Sequence, residues 1–187
     1  MNKKVLAAIC LLLLVSAGLA FTFRSRSQGP KPTSGEELIA GYKQWTRVNP
    51  KPTFVPAQTA QLCAANLPNA GPGSPHGPNK YITVYVNDVG KHEMMEEKTP
   101  HFPLGSIIVK EKLPTATSDK PELLTVMIKR EAGYNPESGD WEYMVLDGSG
   151  KSVQDRGKLD NCQSCHQVDK DTDYVSRSYL PQMRLKQ

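Results

Sequence analysis

Near the C-terminal end the chain reads Asn161-Cys162-Gln163-Ser164-Cys165-His166, and no other stretch restricts so tightly what the chain can become. Thiols three residues apart can bond to the vinyl groups on one edge of a porphyrin, and the adjacent histidine then lies under the iron as its proximal ligand. Other uses of the spacing fit less well. A zinc site needs four ligands, and His166 directly follows Cys165, which spaces it poorly as a third. A redox dithiol calls for a thioredoxin-like βαβ setting that the flanking sequence lacks. A disulfide between Cys162 and Cys165 would close only a small, unhelpful loop. The motif is therefore read as the attachment site of one covalent haem c, with His166 as the iron ligand.

Haem attachment of this kind takes place outside the cytoplasm, and the other end of the chain agrees. Lys3 and Lys4 precede an unbroken apolar run from Val5 to Val15, and Gly18 and Ala20 supply small residues. Residues 1–20 are read as an export signal cleaved after Ala20. The rival is an uncleaved anchor reaching Phe23, just long enough to span a bilayer. The expected location is periplasmic or otherwise exported, with a membrane contact only if the segment is kept. Cys10 leaves with the signal, so Cys63 is left without a cysteine partner once Cys162 and Cys165 take haem. The net charge of +4 is scattered, without a basic block or aromatic-basic stripe, and nucleic acid is not an expected partner.

Residues 21–35 are polar, basic and proline-containing, and are read as a linker. Residues 36–187 form the cytochrome domain. Leu38, Tyr42 and Trp45 share a face at helical spacing, which predicts a short helix over 36–47 capped by Ser34. Residues 48–79 are rich in proline and glycine and read as a long irregular loop, with a helical turn between Ala57 and Asn66. Alternating and β-branched runs predict strands at 80–87, 105–113, 122–131 and 140–147. A short helix is predicted at 91–98, and another through the motif. Short, turn-rich links between the strands make the sheet antiparallel. The expected class is α+β, mainly β: about four to five antiparallel strands, a few short helices, and the haem motif near the C-terminus.

The order of these blocks is distinctive. Tyr42-x-x-Trp45 precedes YITVYVN (81–87), FPLGSIIVKEKL (102–113), LLTVMIKRE (123–131), GDWEYMVLDG (139–148), CQSCH (162–166) and KDTDYVSRSYLP (170–181). Over residues 36–181 the chain resembles the cytochrome P-460 family, which includes cytochrome c-prime-beta. The CQSCH run is common to all c-type cytochromes; the GSIIVKE and GDWEY blocks are more specific. The resemblance implies an antiparallel sheet, usually a homodimer, and iron held by His166 on one side and open on the other. In the family's enzymes a lysine forms an extra bond to the porphyrin, and hydroxylamine or nitric oxide is oxidised. Lys110 is the candidate for that bond and Glu142 for the distal proton acceptor, with Glu131 and Glu111 as alternatives. In the c-prime-beta branch the extra bond is absent and phenylalanines line the open side; Phe102 and Phe54 are the candidates here.

Three activities follow from the resemblance. The first is oxidation of hydroxylamine or nitric oxide, with electrons passed to a partner cytochrome. The second is capture of nitric oxide or carbon monoxide without turnover. The third is simple electron transfer, which needs a sixth protein ligand; His76, Met94 and Met95 are the candidates. His92 and His101 are expected to face solvent, and the alternative for Lys110 is a surface lysine on a half-buried strand, where Ile108, Lys110 and Lys112 share one face by alternation.

Overall fold

The computed structural model describes residues 34–56 and 79–180. The signal, most of the linker, the turn expected between Ala57 and Asn66, Cys63 and His76 lie outside the described residues.

A helix of one turn, α1 (Gly35–Leu38), opens the described chain with a capping box: Glu37 N–H donates to Ser34 Oγ at 3.2 Å, and Ser34 N–H donates to Glu37 Oε2 at 3.0 Å. So short a helix is marginal alone; burial of Ile39 and Tyr42 against the sheet holds it in place. The helix expected over 36–47 is split. Gly41 turns left-handed at φ 72, and Tyr42–Gln44 continue as a 3-10 turn.

Seven strands follow: β1 (Thr46–Arg47), β2 (Thr53–Val55), β3 (Lys80–Val86), β4 (Ile107–Leu113), β5 (Leu123–Lys129), β6 (Trp141–Asp147) and β7 (Val153–Gly157). All pair antiparallel in the order β1-β3-β4-β5-β6-β7, with β2 also on β3. The sheet is thus larger than the four to five strands expected. β1 and β2 lie along one edge of β3, interrupted at Asn49. The fully buried Asn49 side chain takes over the ladder there: it donates to the Ile82 carbonyl at 2.9 Å and accepts from Val84 N–H at 2.9 Å. A second helix, α2 (Lys91–Met95), links β3 to β4, and α3 (Asp160–His166) follows β7.

Period-2 alternation gives the sheet two working faces. Ile107, Val109, Leu124, Val126, Ile128, Met144 and Leu146 face the α1 segment. Ile82, Val84, Val86, Ile108, Met127 and Tyr143 face the other way, against Met94, Phe102 and the segment containing Tyr174, Val175, Tyr179 and Leu180. Leu159 and Cys162 pack against this second core, so the helix bearing the motif belongs to that side.

Candidate cofactor site

Asp160 in the first turn of α3 suits the positive end of the helix. On a helix, positions i, i+3 and i+4 share a face. Cys162, Cys165 and His166 stand in that relation, and all three line one cavity of about 190 Å³. Facing them from the sheet are Lys110, Met127 and Tyr143. Ile108, Val145 and Leu159 add apolar wall.

His166 is oriented from behind. Its Nδ1 lies 2.7 Å from the Tyr174 carbonyl oxygen. A carbonyl only accepts, so Nδ1 carries the proton and Nε2 keeps its lone pair. Burial, with the positive charge of Lys110 in support, pushes the imidazole down to about 4, against the pull of the Tyr174 carbonyl. The ring is therefore neutral near pH 7, the form that binds iron. The Tyr143 ring lies 5.6 Å from it, centroid to centroid, tilted by 41°. Burial pushes the Tyr143 phenol up to about 12, and its hydroxyl pairs with Ser138 Oγ at 2.8 Å.

A covalent haem needs a pair of thiols on one wall, a neutral imidazole beside them and apolar surroundings. The residues present meet all three requirements. Among the described residues no group of His, Cys, Asp and Glu converges as a metal-ion cluster.

The structure places Lys110 along the same cavity as Cys162, Cys165 and His166. It does not bring Glu142 there. Glu142 lies on the opposite face of the sheet, where Arg156 donates to it at 2.8 and 3.2 Å and Arg130 at 3.1 Å. The register decides this: neighbours in a strand point to opposite faces, and Tyr143 is the one that faces the cavity. Glu111 is also on the far face, accepting from the Tyr42 hydroxyl at 2.7 Å, and Glu131 is exposed beside Arg130.

The two phenylalanines are not at the cavity either. Phe102 is core, edge-on to Trp141 at 5.4 Å. Phe54 is 47% exposed on the sheet edge, against Tyr81. Met94 is buried core, and Met95 packs partly buried beside it. His92 is exposed between Glu96 and Glu97, and His101 is exposed.

Sequence reasoning missed the residues that support the histidine. Asp169 is a half-buried carboxylate whose pKa burial raises, opposed by Lys110 and by a hydrogen bond with Ser176. After the 3-10 stretch Gln167–Thr172, Asp173 and Tyr174 both take left-handed backbone, at φ 55 and φ 64. Asp173 accepts from Lys129 Nζ at 2.6 and 2.8 Å and from Phe102 N–H at 2.8 Å. Its carbonyl accepts from Trp141 Nε1 at 2.7 Å. The Asp-x-Asp-Tyr run after the motif and the tryptophan opening β6 were the available signals.

Comparison with known proteins agrees with this geometry. The sequence profile of the family described as Cytochrome P460 matches residues 39–177, from the end of α1 to the segment that closes over the motif. No curated protein matches the chain.

Proposed function

Because this chain belongs to the cytochrome P460 family, a family of haem proteins, we propose that it is an exported mono-haem c-type cytochrome acting on hydroxylamine or nitric oxide. The observation that carries the reading is the placement of Cys162, Cys165 and the Nδ1-tethered His166 on one helical face along one cavity wall. In it, Cys162 and Cys165 would hold the porphyrin edge and His166 Nε2 would bind the iron. When bound, the haem would supply the redox centre at which the small nitrogen species reacts.

This chain's residues then do the rest. The Tyr174 carbonyl fixes the imidazole plane. Ile108, Met127 and Leu159 keep bulk water off the cavity wall. Lys110 reaches the same cavity, which supports its assignment as the lysine bonded to the porphyrin. A redox partner cytochrome takes the electrons, and the working unit is a homodimer. The apolar walls also support a second reading, capture of nitric oxide or carbon monoxide without turnover, in which Lys110 stays unbonded.

Intact mass and optical spectra of the purified holoprotein test both. Haem should remain attached through acid-acetone extraction and be lost in the Cys162→Ala/Cys165→Ala variant. Haem that extracts freely from the unmutated protein refutes the attachment. A red-shifted, broadened ferrous Soret band that reverts in Lys110→Leu marks the bonded, oxidising form. An ordinary high-spin c-haem spectrum, unchanged in that variant, marks gas capture instead, and a low-spin one electron transfer.

A further inference from the structure

Tyr174 is an aromatic residue held in left-handed backbone at φ 64, a strained conformation that persists only where the surroundings enforce it. The enforcing contacts all meet at its neighbour. Asp173, also left-handed, is bound through its carboxylate to Lys129 and to the Phe102 N–H, and through its carbonyl to Trp141 Nε1 at 2.7 Å. The ion pair is largely buried, with side-chain exposures of 14% for Lys129 and 9% for Asp173. Lys129 Nζ also stands 5.0 Å over the Trp141 ring. Tyr174 N–H is tied in turn to the Asp169 carbonyl at 2.8 Å. The product of this anchoring is one atom in one place: the Tyr174 carbonyl oxygen, 2.7 Å from His166 Nδ1.

We propose that Asp173 and Trp141 are positioning residues for His166, anchoring the Tyr174 carbonyl and through it setting how strongly the imidazole donates electrons to a metal at Nε2. The inference rests on the cofactor reading above and deepens it. Its physical basis is that a hydrogen bond accepted from the far ring nitrogen fixes a ligand histidine and raises its basicity. A more basic ligand favours oxidised iron. Loosening the carbonyl must therefore raise the reduction potential. If the turn served only to close the fold, its loss would lower stability and leave the potential alone.

Two variants of the haem-loaded protein separate these cases. Trp141→Phe keeps an aromatic ring and removes the donor to the Asp173 carbonyl together with part of the buried indole, whereas the second variant leaves the indole in place. Asp173→Asn keeps a residue that tolerates left-handed backbone and removes the charge facing Lys129. In both, the potential should shift positive, so that the ferrous-to-ferric ratio at a fixed applied potential rises. The ferrous iron–imidazole stretching frequency should fall. Tyr42→Phe, which removes a buried hydrogen bond on the other face of the sheet, should change neither. If one variant fails to fold, the other decides. An unmoved potential and frequency in a folded, haem-loaded variant overturns the proposal, as does an equal shift in Tyr42→Phe. Absence of attached haem in the unmutated protein brings down the cofactor reading and this proposal together; attached haem with an unmoved potential brings down this proposal alone.

Discussion

His166 shows how far a single side chain can be followed from sequence into chemistry. The motif made it the ligand, but not neutral, oriented or tied to a carbonyl eight residues on; those properties come from the turn at Asp173 and Tyr174. They also make a pH prediction for the haem-free protein. The imidazole is depressed to about 4 in the fold, against roughly 6.5 in an unfolded chain. Above that higher value both states are neutral and the group contributes nothing. As pH falls towards 4, only the unfolded chain takes up the proton, and folding loses about 3 kcal/mol. Denaturant midpoints across this range should fall more steeply for the parent than for His166→Gln; parallel slopes would show that the imidazole is not withheld from protonation. Glu142 teaches the opposite lesson. A carboxylate next to Tyr143 in sequence is on the far side of the sheet in space, and only the register reveals which of the pair faces the cavity. The places of Phe102 and Phe54 were unreadable for a related reason: nothing local to an aromatic side chain says whether it lines a cavity, fills a core or sits on an edge.

Among elements, the long central strands were legible because their branched and aromatic residues alternate over whole runs, and the motif helix because its spacing is helical. The short ones were not. β1 and β2 are broken by Asn49, whose side chain substitutes for ladder hydrogen bonds, and Pro50 and Pro52 disguise them as loop. β7 reads VQDRG, three of its five residues charged or polar and three exposed, so it carries no hydrophobic alternation. The turn joining β6 to β7 supplies a prediction. A Cβ on Gly148 would sit 1.9 Å from the Pro121 carbonyl oxygen, which is backbone and cannot swing aside. Gly148→Ala should cost about 1–3 kcal/mol, the usual range for overpacking, read as a lower urea midpoint with an unchanged haem spectrum. Gly139→Ala should behave differently. Its φ is +61, and its Cβ would meet the Tyr174 ring at 2.6 Å and Asp173 Oδ1 at 2.8 Å. Here strain reaches the turn behind His166, so the spectrum should change along with the stability; an unchanged spectrum would mean that the turn absorbs the clash.

At the scale of the whole molecule, the sheet divides support from chemistry. One face carries the α1 segment, and its polar anchor is Tyr42 on Glu111, a bond of 2.7 Å between buried groups. Burial and Glu111 together drive the Tyr42 phenol far above its ordinary range, so it stays a donor. Tyr42→Phe leaves a buried carboxylate short of a partner and should destabilise the protein by about 1–3 kcal/mol in chemical denaturation; no loss would mean that Lys43, 3.5 Å away, compensates fully. The other face carries the cavity and the second core, into which the strip holding Tyr174, Val175, Tyr179 and Leu180 packs. That strip follows the motif in the chain. A chain emerges N-terminal side first, from a ribosome or across a membrane, and partial structures can form as it does. Every strand of the sheet and the motif helix are thus made before the strip that lies over them. For that interval His166 lacks the Tyr174 carbonyl that holds its Nδ1, so whatever loads Cys162 and Cys165 meets an imidazole whose plane has still to be set.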